Sequence, residues 1–264
     1  MVYGAVIIAL IYSLFPIIWL FLTSIKPRAL TFAIPPVWLF PPTLENYAQV
    51  FVFGSFPKYF ANSLLVALSS TAIAAITGTL AAYAFARFEF RGRDTLQVLA
   101  LVPQVLPPIT IIIPLFAIFR SIDLVDHPIA LILTYQSFTI PLVIWTMIGF
   151  FRDVPRDLEE AALIDGASRI GALWRIVLPL VTPGLAAAAI LSLIYCWNEF
   201  LYAVILTGRD AKTVPVAISG FITNKDILWG RIAASGTVVL LPVLLFALSV
   251  QRYLVRGLAR GAVK

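Results

Sequence analysis

The sequence predicts an all-α integral membrane protein with six transmembrane helices and a cytoplasmic helix-turn-helix loop. Of its 264 residues, 61% are hydrophobic and 12% are charged, against roughly 25% charged in a soluble globular domain. Six charge-free windows are each about 20 residues or longer, which is enough for a helix to cross a hydrocarbon core of roughly 30 Å. They do not alternate as membrane β-strands do. The predicted spans are about 4–25, 59–86, 95–120, 128–151, 183–207 and 232–255.

The first window is predicted to be a retained helix, because it lacks the basic n-region and small-residue cleavage site of a signal peptide. Its missing basic flank suggests that a short tail precedes Met1 in the natural chain. The second span repeats small residues at every fourth position, which predicts close helix packing. These residues are Ser70, Ala74, Gly78 and Ala82.

Prolines predict bends in two of the spans, because proline removes a backbone donor and frees a carbonyl. Pro141 interrupts the fourth span. The third span contains four prolines, at Pro103, Pro107, Pro108 and Pro114.

Basic residues predict the orientation of the chain, which we interpret as a single transmembrane domain over 1–264. With six spans both termini share one side, and that side holds eleven Lys or Arg in segments 87–93, 152–175 and 252–264, against eight on the other side. The richer side is predicted to be cytoplasmic. The net charge of +6 suits anionic lipid headgroups better than nucleic acid, since no basic run is interleaved with aromatics on a soluble domain.

The segment 153–179 is predicted to form the helix-turn-helix. Pro155 suits the first turn of a helix, and Gly166 would end that helix. Ser168 can cap a second short helix, which Pro179 would end before the fifth span begins.

Small side chains on this loop predict a surface where another protein can pack closely. Ala161, Ala162 and Gly166 carry little side chain there. Glu160 and Asp165 would pair with basic groups at the rim of that surface.

This segment resembles the EAA loop of ABC-importer permeases, written EAA-x3-G-x9-I-x-LP. Every fixed position of that pattern is filled, by Glu160, Ala161, Ala162, Gly166, Ile176, Leu178 and Pro179. The wider chain is similar to the carbohydrate-uptake, maltose-type branch from the first span to the closing GAVK. The stretches WNEF at 197–200 and LENY at 44–47 also resemble that branch.

The resemblance implies the permease subunit of an ATP-driven ABC importer for a sugar or related carbohydrate, in the cytoplasmic membrane of a bacterium or archaeon with both termini cytoplasmic. In that family the EAA loop is the coupling helix that docks into the ATPase subunit; the alternative is a loop that merely joins two spans. The implied partners are an ABC ATPase dimer, a second homologous permease, an extracytoplasmic substrate-binding protein, membrane lipid and the carbohydrate. The ATPase-coupling residues implied are Glu160, Ala161, Ala162, Asp165, Gly166, Ile176, Leu178 and Pro179.

No cofactor is expected in this chain. It has no G-x-x-x-x-G-K-[ST] stretch, the loop that holds nucleotide phosphates in P-loop proteins. ATP and Mg are therefore expected to bind the partner ATPase.

Polar residues within the spans are candidates for the substrate path. Glu199, beside Asn198, lies about 16 residues into the fifth predicted span, where a carboxylate is costly unless it faces water or a partner group. The alternative is a structural hydrogen bond or ion pair to a neighbouring span. Hydrogen bonds between helices also explain the other polar candidates, which are Gln104, Tyr135, Gln136 and Ser137.

Two rival functions have less support. His127 is the only histidine and Cys196 the only cysteine, which leaves no metal-ligand cluster, no Ser-His or Cys-His pair for an enzyme, and no disulfide within the chain. An ion-gradient-driven secondary transporter would carry more ionisable residues in its spans, or broken-helix repeats, whereas Glu199 alone interrupts these spans.

Overall fold

The computed structural model describes residues 2–52 and 54–261, so residues 262–264 of the closing GAVK lie outside the described residues. Almost all of the regular structure is helical, and the only β pairing among the described residues is the single bridge between Ile222 and Ile227. The all-α fold class is confirmed. The α-helices are α1 Val2–Ser24, α2 Glu45–Phe51, α3 Phe56–Arg87, α4 Arg93–Val105, α5 Pro108–Ser121, α6 Pro128–Asp153, α7 Arg156–Ile164, α8 Arg169–Ala172, α9 Leu178–Asn198, α10 Leu201–Leu206, α11 Val214–Ser219 and α12 Trp229–Gly261.

Five helical stretches in the described chain are long and apolar enough to cross a membrane. They are α1, α3, α6, the run Arg169–Asn198 and the Trp229–Phe246 part of α12. The pair α4 and α5 provides a sixth if its two halves are counted together. The six expected spans are therefore present only if the bent pair α4 and α5 is counted as one broken span.

The third predicted span, 95–120, is two helices rather than one. α4 and α5 are bent by 93° relative to each other, and both Leu106 and Pro107 have extended backbone between them. Two consecutive prolines explain the break, because neither Pro107 nor Pro108 has an N–H to donate and each disfavours helix in the residue before it. Pro103, Pro114 and Pro141 instead lie inside helices.

The fifth predicted span, 183–207, begins earlier than expected. The backbone stays helical from α8 through a π-turn at Leu173–Val177 into α9. The prediction that Pro179 ends a helix is therefore wrong, and so is the predicted start of the fifth span at residue 183, because Pro183 lies inside α9. A π-turn shifts the hydrogen-bond register just before Pro179, where the missing proline donor would otherwise interrupt the ladder.

This fifth span is also broken near its far end. α9 stops at Asn198, Glu199 has extended backbone, and α10 begins at Leu201. Like α4 and α5, α9 and α10 are thus separated by a short non-helical step. Non-helical backbone at membrane depth is tolerated where protein or a water-filled cavity surrounds it.

The chain divides into two compact units. The first, Met1–Asn62 with Lys212–Leu245, has a core in which Val50, Phe56, Val214 and Ala234 are buried together. The second contains Ser63–Ala211 and the chain from Phe246 onward. In it, α6 packs along α9, and the larger core includes Met147 and Phe151, both fully buried.

The small-residue face of α3 is a packing surface, as predicted. Ser70, Ala74 and Ala82 are fully buried. Gly78 lies against α6, where an added Cβ would come within 2.8 Å of Val143. Close approach of two helix backbones is the usual role of such a face.

Candidate functional site

The helix-turn-helix predicted for 153–179 is formed by α7 and α8. Gly166 has φ +87° and ends α7, with the Ala167 amide donating back to the carbonyl of Ala162 over 2.9 Å. Ser168 accepts a hydrogen bond from the Gly171 amide over 3.1 Å and caps α8. The predicted turn glycine and helix cap are both confirmed, because each is fixed by local backbone chemistry.

Three large apolar side chains in this hairpin and in the π-turn that follows it are exposed. Ile164 is 86% exposed, Ile170 71% and Trp174 58%. Exposed large apolar side chains grouped on one loop are typical of a surface that another protein covers. We call Ile164, Ile170 and Trp174 the apolar docking face.

The predicted coupling residues are divided by the fold. Glu160, Ala161, Asp165 and Gly166 are exposed on α7 and its turn. Ala162 was expected to lie on the same open surface as Ala161 and Gly166, but it is only 5% exposed. It faces inward, since α7 packs back on α8 and the π-turn. The remaining three lie beyond α8, with Ile176 and Leu178 half-buried and Pro179 exposed.

The inner side of α7 is attached to the end of α3 by Glu159, which the sequence pattern did not single out. Its carboxylate forms an ion pair with the guanidinium of Arg87 and accepts a hydrogen bond of 3.0 Å from the Tyr83 hydroxyl. Arg87 and Glu159 are 72 residues apart in the chain. A short sequence motif therefore cannot predict this ion pair.

A cavity of about 760 Å³ lies in the second unit, where both broken spans are interrupted. One wall comes from the α4–α5 break, including Gln104, and another from the α9–α10 break, including Asn198. Aromatic side chains supply much of the rest. They are Phe138, Tyr195, Phe200 and Tyr202.

The aromatic wall contains a stacked pair. The rings of Phe138 and Tyr202 are nearly parallel, at 12°, with centroids 6.1 Å apart, and the Tyr195 ring lies 6.5 Å from that of Phe138. Pockets for small molecules typically combine aromatic walls with a few polar groups. These rings were not predicted from the sequence, although helical spacing places one of them, Tyr195, one turn before Asn198.

Glu199 is one of the residues around this cavity, but its oxygens are held by the protein. They accept hydrogen bonds from the Tyr202 amide at 2.8 Å, the Ala203 amide at 3.1 Å and the Tyr135 hydroxyl at 3.0 Å. The carboxylate thus caps the first turn of α10 and ties it to α6. This geometry favours the structural alternative for Glu199 over direct contact with substrate.

The structure separates the other polar candidates. Gln104 and Asn198 line the cavity. Tyr135 is 1% exposed and serves as the partner of Glu199, whereas Gln136 donates to carbonyls of Ile132 and Ser70. Tyr135 and Gln136, together with the half-buried Ser137, are not among the residues that line the cavity.

The segment after α10 is fixed by Asp126, in the turn between α5 and α6. Its carboxylate accepts hydrogen bonds from four consecutive backbone amides, Gly208, Arg209, Asp210 and Ala211. Partial burial of the carboxylate opposes its ionisation, but the four donors outweigh that effect and lower the pKa of Asp126 to about 2.

The chain is similar to known proteins along nearly its whole length. Residues 74–260 match the family model described as binding-protein-dependent transport system inner membrane component. The chain is 41% identical over 269 residues to the trehalose transport system permease protein SugB of Mycobacterium tuberculosis, covering 99% of this chain and 97% of that protein. It is 37% identical over 268 residues to the trehalose/maltose transport system permease protein MalG of Thermococcus litoralis, covering 100% and 96%.

The fold is also similar to that of a solved structure. A chain of a bacterial ABC transporter involved in the import of the acidic polysaccharide alginate superposes with a TM-score of 0.79, covering 96% of this chain and 95% of that chain. Its sequence identity is 24%, so this likeness bears on the fold alone.

Proposed function

Because the chain belongs to the family of binding-protein-dependent transport system inner membrane components, we propose that it is the permease subunit of an ATP-driven ABC importer for a sugar or related carbohydrate. The observation that carries the substrate class is the near full-length similarity to two permeases that are named for disaccharide transport. The aromatic and amide lining of the cavity supports the same class. Sugars present apolar C–H faces to rings and hydroxyls to amides.

The proposed substrate contacts are the aromatic wall together with Asn198 and Gln104. The Asn198 side chain donates to the Ile194 carbonyl and belongs to the cavity wall. Gln104 brings a second amide from the α4–α5 break. Glu199 acts indirectly in this proposal, by holding α10 and therefore Tyr202 in place.

The proposed partners are an ABC ATPase dimer, a second homologous permease and an extracytoplasmic binding protein. ATP and Mg bind the ATPase, and this chain contributes the membrane path. The ATPase docks on the apolar docking face, with Glu160 and Asp165 at its rim and Ala161 and Gly166 permitting close approach. Both termini are then cytoplasmic, in the inner membrane of the cell.

Transport is proposed to proceed by alternating access. The ATPase dimer changes conformation with nucleotide, and the hairpin transmits that change to the spans. The shift between inward-facing and outward-facing states is limited by the difference in binding free energy of nucleotide and substrate for those two states.

The test is uptake by proteoliposomes that contain this chain, its permease partner and its ATPase, with the binding protein supplied outside. We expect radiolabelled di- or oligosaccharide to accumulate only with ATP, and not with an ATPase whose P-loop lysine is replaced. Sugar uptake driven by an ion gradient with this chain alone would support a secondary transporter instead and would reject the proposal.

A further inference from the structure

The hairpin is fastened to α3 by a nearly buried ion pair. Side-chain exposure is 6% for Arg87 and 13% for Glu159. Arg87 also donates to the carbonyl of Val154 over 2.8 Å, and Tyr83 donates to Glu159. We call Tyr83, Arg87 and Glu159 the α3–α7 clamp.

A second attachment joins the other arm of the hairpin to the same place. The guanidinium of Arg169, the first residue of α8, lies 5.2 Å from the ring centroid of Phe88, directly after α3. The Phe88 ring in turn packs edge-on against Tyr83, with centroids 5.7 Å apart. Both helices of the hairpin are therefore held at the last turns of one span.

The chemistry of the clamp favours a stiff connection. Exposed ion pairs contribute little, because water screens them and long side chains lose entropy. A buried pair with further hydrogen bonds is directional, and removing one partner leaves a charge uncompensated. Tyr83 also packs against the rings of Phe88 and Phe151, so its hydrogen bond ties α7 to a well-packed part of α3.

The clamp holds α7 on the side that faces α3, whereas Ile164 of the apolar docking face is exposed at the end of the same helix. Glu159 faces α3, while Glu160, one residue further, is exposed. We infer that the α3–α7 clamp is the positioning link through which movement of the docked hairpin is transmitted to α3. This inference rests on the proposed function, because it needs a partner that moves the hairpin.

The test compares sugar imported per ATP hydrolysed in reconstituted complexes. Glu159→Gln keeps the size of the side chain but removes the charge that binds Arg87. We expect the ATPase to remain bound while sugar imported per ATP falls by about tenfold, within the usual range of coupling between sites. Tyr83→Phe removes one hydrogen bond and should lower the ratio by about two- to threefold.

Asp157→Asn is the matched control, because it neutralises an exposed carboxylate in the first turn of the same helix. It should leave the ratio unchanged. A merely structural pair would reduce the amount of complex, yet the surviving complexes would import the normal amount of sugar per ATP. An unchanged ratio in both Glu159→Gln and Tyr83→Phe would overturn the inference, whereas a wild-type complex without ATP-driven sugar uptake would overturn the proposed function.

Discussion

Gly78 of α3 lies directly against Val143 of α6, and a Cβ added to the glycine would come within 2.8 Å of the valine Cβ. Gly78→Ala should therefore force the two helices apart and destabilise the protein by about 1–3 kcal/mol, the usual cost of overpacking a core. Thermal unfolding in detergent measures the loss.

Two further variants separate overpacking from a general effect of alanine. Val143→Ala in the Gly78→Ala background should recover only part of the lost stability, because it removes the valine Cγ1 but leaves the Cβ at 2.8 Å from the added methyl group. Gly149→Ala should cost nothing, since no atom lies within 4 Å of its added Cβ. If Gly78→Ala unfolds at the wild-type temperature, the close helix contact is not present.

Gly166 combines a left-handed backbone with open space around it, at φ +87° and with nothing within 4 Å of an added Cβ. Gly166→Trp should insert normally into the membrane but lose ATPase binding or sugar uptake, because the side chain projects where the partner docks. Gly166→Asn should retain most uptake, since asparagine tolerates this conformation. Co-purification of the ATPase and proteoliposome uptake provide the measurements.

Gly92 supplies the control for Gly166, because it has φ +86° and is equally open. Gly92→Trp carries a similar backbone cost of about 1–2 kcal/mol, outside the hairpin. Uptake should persist in this variant. Equal loss from both tryptophan variants would point to backbone strain and against a docking role for Gly166.

The four backbone amides that donate to the Asp126 carboxylate predict that the folded protein becomes less stable in acid. The pKa of this carboxylate is about 2 in the folded chain, below the ordinary value of 3.8. A depressed folded pKa stabilises the protein above about pH 4, and this contribution is lost as the pH falls from about 4 to about 2.

Asp126→Asn should lower the unfolding temperature by a few degrees at pH 7, because the amide replaces an acceptor oxygen with a donor that faces backbone N–H groups. The difference from wild type should shrink between about pH 4 and 2. Asp123→Asn, at an exposed aspartate in the same turn that also has positive φ, should have little effect. If the difference in unfolding temperature stays constant down to pH 2, the Asp126 carboxylate and its amide donors are not its source.

The cavity predicts which variants change sugar affinity. Phe138→Ala removes a ring from the stacked pair and should raise the KM for sugar by about tenfold, equivalent to about 1.4 kcal/mol. Phe150→Ala changes the same residue type on the same helix, but Phe150 packs on Gly184. It should reduce stability without changing KM. Equal KM values for Phe138→Ala and wild type would exclude this cavity from the path.

The sequence predicted those features that depend on neighbouring residues. Apolar windows identify the helices because a helix satisfies its own backbone in lipid. The Gly166 turn and the Ser168 cap each rest on a few adjacent residues. These local rules also placed the hairpin between α6 and α9.

Proline effects were predicted less well, because their outcome depends on what surrounds each residue. Pro103, Pro141 and Pro183 remain inside helices, whereas Pro107 and Pro108 mark a 93° break. A local π-turn precedes Pro179. The effect of each proline depends on the surrounding packing, which determines whether the helix continues through the proline or breaks there.

Long-range contacts account for the remaining differences in the site. The burial of Ala162 depends on how α7 folds back on α8, and the Arg87–Glu159 pair joins residues far apart in the chain. Glu199 was identified because a carboxylate within a membrane span is energetically costly. Its role as a cap could not be predicted in the same way, because that role depends on where α10 begins. The aromatic wall likewise forms only when α6, α9 and α10 come together.

Crosslinking from position 164 tests the central claim most directly. In one variant, a photo-crosslinking amino acid replaces Ile164 on the apolar docking face. In a second variant it replaces Ile122, which is 60% exposed and precedes the start of α6, whereas the hairpin follows the end of that helix. In the assembled complex, position 164 should crosslink to the ATPase subunit and position 122 should not. Crosslinks from position 164 that reach only lipid or the second permease would contradict the account.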